Sequence, residues 1–364
     1  MEIRKRISET MSTYRDRRAA SIENNAVRVT VLVEGGHIAE ICHKQSGVNP
    51  LWTPPWPSIE PSTYTLEKHP EYGVDSESKL LAGIMGHNLC LDIFGPPSAE
   101  EAAAGLTVHG EASVVPYRIS TEGRTMTARA DLPLAQLQFE RRITVPEADG
   151  IVRVEETVEN LSAADRPIAW TQHVTIGPPF LQKGSSQFRA SATRSRVHEE
   201  DLEGSRLKPG ADFDWPMAPR KDEAAYDLQT YTDAPESSEF TTHLMDPTRE
   251  HAFFMAWSPV SHVLFGYLWK CADFPWLGIW EENYSRKQPP WSGKTLTRGL
   301  EFGASPMAET RREMIDRNKL FGVPAYRWLP SKAKLRAGYC IFILTRDRIP
   351  ERVSWNGTDS VEFE

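Results

Sequence analysis

Three segments of the sequence place imidazole or carboxylate groups where a strand-like run meets a turn. His109 follows a short apolar run and directly precedes Gly110, whose missing side chain lets another group approach the backbone closely. His173 lies in a strand-like run that ends at a Gly-Pro-Pro turn, and a third run, rich in aromatic residues, ends in the pair Glu281 and Glu282. Imidazoles and carboxylates are common proton donors and acceptors in catalysis. The three segments are therefore candidates for an acid–base site.

The strand-like pattern limits which of these side chains can share a cleft. Successive side chains of a strand point to opposite faces, so His173 shares a face with Thr171 and Thr175. This polar stripe fits either a solvated outer face or the lining of a cleft. For the same reason, only one of Glu281 and Glu282 can enter a given cleft, where loss of water would raise the pKa of its carboxyl group toward neutrality.

Composition and charge narrow the class of protein. The 364 residues are 40% hydrophobic and 25% charged, which is typical of a globular protein. The net charge of -8 is spread along the chain, without the basic patch expected of a nucleic-acid-binding protein. No stretch is long and apolar enough to span a membrane, and the opening residues lack the apolar core of a signal peptide. We therefore expect a soluble, cytoplasmic protein with neither nucleic acid nor membrane as a partner.

The cysteines and tryptophans bear on possible ligands. The 4 cysteines lie far apart and form no pattern typical of a zinc site, so we expect buried thiols and no bound metal. The 11 tryptophans offer flat apolar faces with one N–H donor each, a combination that suits the faces of sugar rings. Packing in the core is the default role for such residues.

Alternation of apolar and polar residues with a period of two dominates the chain. A hairpin is predicted from residues 27–33 and 37–41, which flank a Gly-Gly turn. Further strands are predicted at 113–120, 125–132, 137–145, 151–159, 168–176, 187–192, 262–268 and 339–345. Only two helices are predicted, one after a capping box at Ser98 and one from Ser305 through about Leu320. So many strands with so few helices predict an all-β antiparallel sandwich.

The pattern also predicts how the chain is divided. We expect one β domain over residues 26–350, an N-terminal extension over 1–25 and a C-terminal tail over 351–364. Two long segments rich in proline, charge and aromatic residues, 52–72 and 202–239, lie within that domain. Loops of this length on a rigid sheet often shape a binding site, but they can equally cover sheet edges against pairing with other chains. Both roles remain open at this point.

A resemblance connects the candidate site residues. His109 follows a short apolar run and precedes a glycine. A V-x-N-x-S segment at 158–162 lies about a dozen residues before His173. Glu281 is a carboxylate late in the chain, at the end of a predicted strand. In this order and spacing the chain resembles the galactose mutarotase, or aldose 1-epimerase, superfamily. The resemblance extends from about residue 27 to residue 343 and implies a large antiparallel β-supersandwich.

The resemblance also implies a reaction. In an aldose 1-epimerase, a base removes the proton of the anomeric hydroxyl while an acid protonates the ring oxygen, so that the ring opens and recloses as the other anomer. The resemblance assigns Glu281 as the base, in preference to Glu282, and His173 as the acid. It assigns His109 a hydrogen bond near the ring oxygen or a neighbouring hydroxyl. No metal or organic cofactor is implied.

Further residues are candidates for binding a sugar. His87 and Asn88 stand where the superfamily has an Asn-Arg pair before the first His. Trp280 could stack on a sugar or simply pack, and Arg286 could contact an acidic or phosphorylated sugar or lie in a solvated loop. Glu282 is the alternative cleft carboxylate.

Three functions remain open from the sequence. The first is an isomerase that interconverts the anomers of an aldose or a modified sugar. The second is a carbohydrate-binding protein on the same scaffold without turnover. A polysaccharide lyase or hydrolase is less favoured, because a hydrolase needs two carboxylates that face each other across the bond and the sequence offers one convincing cleft carboxylate.

Overall fold

Strands dominate the architecture of the chain. A computed structural model describes residues 12–147, 150–355 and 360–364. The strands of the first half are β1 (Ser12–Tyr14), β2 (Arg17–Glu23), β3 (Val27–Leu32), β4 (Ile38–His43), β5 (His87–Asp92), β6 (Arg118–Glu122), β7 (Thr125–Leu132), β8 (Leu137–Thr144), β9 (Ile151–Asn160), β10 (Arg166–Ile176), β11 (Gln187–Ala190), β12 (Ala192–Val197) and β13 (Asp212–Asp214). The remaining strands are β14 (Met217–Pro219), β15 (Ala225–Asp227), β16 (Ser237–Met245), β17 (His251–Ser258), β18 (Val263–Lys270), β19 (Trp276–Asn283), β20 (Leu296–Gly303), β21 (Lys319–Leu320), β22 (Val323–Pro324), β23 (Arg327–Leu329), β24 (Lys334–Thr345), β25 (Val353–Trp355) and β26 (Val361–Phe363).

Two antiparallel sheets contain most of these strands. The large sheet has the order β1-β2-β3-β4-β5-β10-β20-β19-β16-β12-β13, and β23 also pairs with β10. The small sheet has the order β11-β17-β18-β24-β9-β8-β7-β6. The helices are short: α1 (Ser78–Gly83), α2 (Ala99–Ala103) and α3 (Arg311–Arg317), with single 3-10 turns at Pro61–Thr63, Pro70–Tyr72 and Glu111–Ser113. The prediction of a large all-β antiparallel sandwich with few short helices is confirmed.

The core lies between the two sheets. Alternate residues of β3 and β10 in the large sheet, such as Val29 and Trp170, pack in one cluster with Phe139 of β8 and Tyr267 of β18 in the small sheet. Full burial of a large apolar side chain stabilises a fold by about 1.5–3 kcal/mol. In strands such as β7, the period-two alternation in the sequence therefore reflects one buried and one outward face.

Most predicted strands are present at or close to their predicted positions. The predicted hairpin is the antiparallel pair β3 and β4, and β7 matches the predicted strand 125–132. The prediction for 113–120 is wrong at its start, because residues 111–113 form a 3-10 turn and β6 begins only at Arg118. Here the Glu111 carboxylate accepts backbone N–H bonds from residues 134 and 135, and the Ser113 hydroxyl donates to the Leu89 carbonyl, so local bonds replace a sheet ladder.

One predicted helix is confirmed and the other begins later than predicted. The capping box at Ser98 starts α2, as expected. The helix predicted from Ser305 instead begins after Thr310, which has its own capping box with Glu313. Ser305 is buried, and its hydroxyl contacts the Met314 sulfur at 3.6 Å rather than capping a helix.

Both terminal segments contribute to the two-sheet body. Within the expected extension, residues 1–11 lie outside the described part, and β2 pairs with β3 in the large sheet. Within the expected tail, β25 and β26 form a hairpin. Val353 and Phe363 of this hairpin pack on the outer face of the small sheet, against a cluster that includes Phe342. No helix among the residues described has the length and apolarity needed to traverse a bilayer.

Candidate functional site

His173 lies near the middle of the large sheet on its outward face. Its neighbours in β10, Trp170 and Val174, face the core, and His173 points the other way, as the alternation predicts. The antiparallel register places Asn88 of β5 directly beside it on one side and Glu301 of β20 on the other. One row across three strands therefore joins an amide, an imidazole and a carboxyl group.

A strained turn brings His109 to the same place. His109 adopts a left-handed conformation (φ 69°) before Gly110 (φ 81°), where an added Cβ would lie 2.2 Å from the Leu91 carbonyl oxygen. The close approach that the sequence predicts at Gly110 is thus made by a strand backbone. His109 Nδ1 donates to the Phe94 carbonyl at 2.5 Å, which fixes the tautomer because a carbonyl only accepts. The His109 and His173 ring centroids lie 5.0 Å apart.

The two imidazoles line an open pocket of about 270 Å³. Its walls consist of Glu77, Ile84, Gly95, Pro96, Val108, His109, His173, His198, Leu202, Phe240, Trp280, Arg286, Trp291, Glu301 and Ala308. The long segment 202–239 contributes Leu202, and the segment 52–72 supports Trp291 from behind, since Trp56 packs on it at 5.1 Å between ring centroids. Both long loops therefore help to build the site.

Glu301 is the carboxyl group of this pocket that lies beside His173. Its Oε1 lies 3.1 Å from His173 Nε2, although the angle is too oblique for a directed hydrogen bond. Burial raises the pKa of Glu301 to about 8, and no arginine or lysine in the part of the chain that the structure describes offsets this effect. Burial, together with nearby His109, lowers the pKa of His173 well below its usual 6.5. At neutral pH the carboxyl group of Glu301 is therefore protonated and the imidazole of His173 is neutral.

Two glycines make room for this carboxyl group. A Cβ at Gly299 would lie 2.4 Å from Glu301 Oε1, and one at Gly278 would lie 3.4 Å from Glu301 Oε2. Both glycines share the outward face with Glu301, because Gly278 is its register partner and Gly299 is two residues away on β20. The side chain of Glu301 therefore lies flat against bare backbone.

The structure does not bring Glu281 to the pocket. Glu281 shares the core-facing side of β19 with Ile279, whereas Trp280 faces the pocket. It is fully buried in an ion pair with Arg298, and the Tyr226 hydroxyl donates to it at 3.0 Å. The expected meeting of Glu281 with the two imidazoles is not observed, because the alternation of a strand puts it on the opposite face.

Glu282 and Arg286 act together beside the pocket. Glu282 is buried on the outward face, and its Oε1 accepts the backbone N–H bonds of Ser285 and Arg286 at 2.6 and 2.9 Å. It does not line the pocket, but it fixes the loop that carries Arg286. The Arg286 guanidinium carbon lies 5.4 Å from the Trp280 ring and 4.7 Å from the Trp291 ring, at the pocket wall.

The remaining two predicted residues lie beneath the pocket. His87 faces the core, where its ring contacts Gln172 Oε1 at 3.0 Å and the Tyr267 hydroxyl at 3.2 Å. His87 is fully buried and does not line the pocket, so the expected contact with a sugar is not observed. Asn88 shares the face of His173, but it is fully buried, and its Nδ2 donates to the Ser113 hydroxyl at 3.3 Å.

Sequence reasoning missed Glu301 and the flanking wall residues Glu77, His198 and Phe240. A signal for Glu301 was present, because residues 299, 301 and 303 read Gly, Glu and Gly at alternate positions of a strand. Glycine on either side of an acid on one face indicates that something must fit closely there. No comparable local signal marks His198 or Glu77, which reach the pocket from loops.

Other features do not compete with this site. Among the described residues there is no group of three or more His, Cys, Asp or Glu side chains able to hold a metal ion. All four cysteines are buried thiols, as predicted. A larger cavity of about 460 Å³ lies elsewhere, beside Cys271 and Tyr326, and includes none of the predicted site residues. Its Asp273 and Arg327 pair with each other at 3.5 Å.

Residues 17–283 match the model of a family described as "Domain of unknown function (DUF4432)", which is more than half of the chain. The chain belongs to this family. The match includes His109 and His173, whereas Glu301 lies beyond its end. No curated protein matches the sequence.

Solved structures reveal the fold of this DUF4432 protein. It is similar to a candidate aldose 1-epimerase from Klebsiella pneumoniae, with a TM-score of 0.66, 15% identity and coverage of 92% of this chain and 82% of that chain. It is similar to a galactose mutarotase-like protein from Clostridium acetobutylicum, with a TM-score of 0.59, 12% identity and coverage of 93% of this chain and 98% of that chain. It is also similar to a galactose mutarotase related enzyme from Lactobacillus acidophilus, with a TM-score of 0.58, 14% identity and coverage of 91% of this chain and 99% of that chain. The protein has the galactose mutarotase-like fold.

Proposed function

We propose that this protein is an aldose 1-epimerase-like isomerase, in which Glu301 and His173 form the acid–base pair. The observation that carries the proposal is the contact between a carboxyl group with a pKa of about 8 and an imidazole of lowered pKa inside a pocket. Catalytic groups work best when their pKa values lie near the working pH. A buried pair that shares one proton can give and take a proton at once.

Interconversion of anomers uses such a pair without any net transfer of protons between protein and sugar. The Glu301 carboxyl gives its proton to the ring oxygen as the bond from that oxygen to the anomeric carbon breaks, and His173 takes the proton of the anomeric hydroxyl. The open-chain aldehyde rotates about the bond to its second carbon, and the two proton transfers reverse as the ring closes. The two reacting oxygens are bonded to one carbon, which suits an acid and a base only 3.1 Å apart.

The surrounding side chains fit a sugar ring. Trp280, Trp291 and Phe240 give the pocket aromatic walls, and the Trp280 ring centroid lies 6.2 Å from that of His173. Indole faces pack well on the apolar faces of sugar rings. His109 lies on the other side of His173 with its Nδ1 held by a carbonyl, so its other ring nitrogen serves a sugar hydroxyl near the reacting carbon.

Polarimetry or NMR of freshly dissolved aldoses tests the proposal. We expect the wild-type protein to speed the approach to anomeric equilibrium, and Glu301→Gln and His173→Ala to slow it by about 100-fold or more, which is typical for loss of an acid–base group. The rate should also fall as the pH rises through about 8, since Glu301 then loses its proton.

Glu281→Gln separates this assignment from the one that the sequence favours. Loss of one partner of a buried ion pair costs about 3–5 kcal/mol of stability, so we expect this variant to unfold more easily but to keep its rate per folded molecule. Normal activity in Glu301→Gln would refute the assignment of the pair. Saturable sugar binding with no change of rate would instead favour a carbohydrate-binding protein without turnover.

A further inference from the structure

Arg286 is a basic residue of the pocket wall whose charge the proposed reaction does not use. Its guanidinium lies over Trp280 and Trp291, so two indoles hold its plane in a fixed orientation. The side chain is about one-third exposed and borders the pocket.

The bonds of Arg286 to the protein are incomplete. Its Nε approaches Glu282 Oε2 at 3.5 Å, outside the range of a good hydrogen bond. Within the residues that the structure describes, no carboxylate, hydroxyl or carbonyl accepts a directed hydrogen bond from its two terminal nitrogens. The edge of the guanidinium that binds carboxylates and phosphates bidentately is therefore unused.

The loop that carries Arg286 is held rigidly. Glu282 Oε1 accepts the backbone N–H bonds of residues 285 and 286, and the Arg286 carbonyl accepts the Gly293 N–H at 2.7 Å. Glu282 and Glu77 are the carboxyl groups near this cation; burial raises the pKa of both, and the charge of Arg286 opposes that rise. The fixed loop holds the Arg286 guanidinium in place before any ligand binds, which lowers the cost of binding an anion.

The position of Arg286 relative to the reacting pair sets the form of the ligand. Trp280 lies between the two: its ring centroid is 6.2 Å from that of His173 and 5.4 Å from Arg286 Cζ. One indole therefore separates the imidazole from the guanidinium. A sugar with its anomeric carbon at His173 can extend along the Trp280 ring toward Arg286.

We infer that the substrate is an aldose with an anionic substituent, a carboxylate or a phosphate, at the end of the sugar remote from the anomeric carbon, and that Arg286 selects it. This inference rests on the proposed function for the placement of the anomeric carbon. The binding of the anion itself depends only on the geometry of Arg286, Trp280 and Trp291.

Equilibrium binding and anomerisation are measured separately with glucose, glucuronate and glucose 6-phosphate as probes. We expect one or both anionic sugars to bind at least 10-fold more tightly than glucose, with a preference that weakens as salt is raised. The glucuronate and glucose 6-phosphate arms distinguish a carboxylate from a phosphate. Arg286→Gln should reduce the ratio of anionic to neutral kcat/KM by about 10- to 100-fold, as loss of a charged hydrogen-bonded contact does.

Lys287→Gln is the matched control. It removes the same charge from the next residue, whose Nζ pairs with Glu236 at 2.6 Å on the surface, so the preference should be unchanged. Arg286→Lys keeps the charge without the planar fork and should recover only part of the preference. Folding of each variant is checked by circular dichroism.

The outcomes separate the two proposals. Equal binding of glucose and both anionic sugars by the wild-type protein, or equal effects of Arg286→Gln and Lys287→Gln, would overturn the inference. Anomerisation of neutral aldoses alone would overturn it as well and leave the proposed function standing. Tight, Arg286-dependent binding of an anionic sugar without any anomerisation would refute the proposed function and support the anion site.

Discussion

Glu281 and Glu301 are both buried glutamates on neighbouring strands, at 0% and 2% exposure, but their partners differ. Glu281 lies against the Arg298 guanidinium, so its negative charge is compensated. Among the described residues, Glu301 pairs with a neutral imidazole and with no arginine or lysine, and burial raises its pKa to about 8. The absence of a cation beside Glu301 keeps a proton on the carboxyl group at neutral pH, which is the state that an acid catalyst needs.

The raised pKa of Glu301 predicts a specific dependence of stability on pH. A group whose pKa is higher in the folded state than in the unfolded state stabilises the fold at low pH and loses that contribution as the pH rises. The contribution of Glu301 should therefore be complete below about pH 4.5 and fall between there and about pH 8. The loss amounts to about 1.4 kcal/mol for each unit of pKa difference.

Urea unfolding of the wild-type protein and Glu301→Gln, measured in parallel from pH 4.5 to 9, checks this. The glutamine variant has no proton to lose at this position, so its unfolding free energy should not fall with pH for this reason. The difference in unfolding free energy between the two proteins should therefore grow with pH in favour of the variant. Glu200→Gln, at an exposed position, serves as the control and should give no such trend. A constant difference across the range would contradict a raised pKa at Glu301.

At the scale of elements, the central pair β19 and β20 positions the acid. Glu301 is flanked on its own face by Gly278 across the ladder and Gly299 along the strand. Glycine in a strand interior ordinarily weakens it, because it has no side chain to pack. Here the two bare backbone positions leave room for a carboxyl group that lies flat beside His173.

Gly299→Ala tests this role of the strand. The added methyl group would lie 2.4 Å from Glu301 Oε1, the far end of a flexible side chain, so the carboxyl group should move while the strand stays intact. We expect unfolding free energy to change by less than about 1 kcal/mol. The rate of anomerisation should fall by about 10- to 100-fold, since a displacement of about 1 Å in a catalytic group can cost that much.

Gly338→Ala in β24 is the corresponding control in the small sheet. Its added methyl group meets only the Val154 carbonyl oxygen, at 3.3 Å, far from the pocket residues. It should leave the rate unchanged. Retention of the full rate in Gly299→Ala would show that the position of the Glu301 carboxyl group is not critical.

At the scale of the whole molecule, the part of the small sheet formed by β17, β18 and β24 is covered on both faces. Its inner face packs on the large sheet, and its outer face carries a second apolar cluster that includes Phe253, Leu264 and Phe342. The hairpin of β25 and β26 covers this cluster, with Val353 buried and Phe363 packed edge-on against Phe342 at 5.3 Å. The segment expected to be a tail therefore closes an apolar surface.

Removal of the residues after 350 should destabilise the protein without altering the pocket. Exposure of the outer cluster should lower the melting temperature and create a surface that binds the dye ANS, because each large apolar side chain that becomes exposed costs about 1.5–3 kcal/mol. Differential scanning fluorimetry measures both effects. Phe363→Ala should reproduce part of the loss, whereas Glu362→Ala, on the exposed side of the same strand, should not. An unchanged melting temperature in the truncated protein would contradict this role.

Local patterns allowed much of the fold to be predicted. Period-two alternation identified β3, β7 and β10 and the face on which His173 lies, because side-chain direction in a strand depends only on position along it. The capping box at Ser98 identified α2 for the same kind of local reason. The start of α3 was predicted wrongly because Ser305 and Thr310 are both residue types that favour the N-cap position. Ser305 is buried in the structure, and Thr310 caps the helix instead.

The choice of the carboxylate could not be made from the sequence. Alternation established that Glu281 and Glu282 point to opposite faces, but not which face of β19 is the core. That depends on the pairing of β19 with β20 and β16, which are distant in sequence, and on the packing of the large sheet against the small one. The pairing of β20 with β10 brought Glu301 into register with His173.

The sequence by itself determined the class of fold, the position of His173 on the strand face opposite Trp170 and Val174, and the tight turn that presents His109, since each depends on residues close together in the chain. Only the tertiary structure decided which carboxyl group meets the two imidazoles, that His87 faces the core, and that Arg286 lies between two tryptophans at the pocket wall. Burial and strand register are properties of the assembled sheets, and they set both the position of Glu301 and its raised pKa.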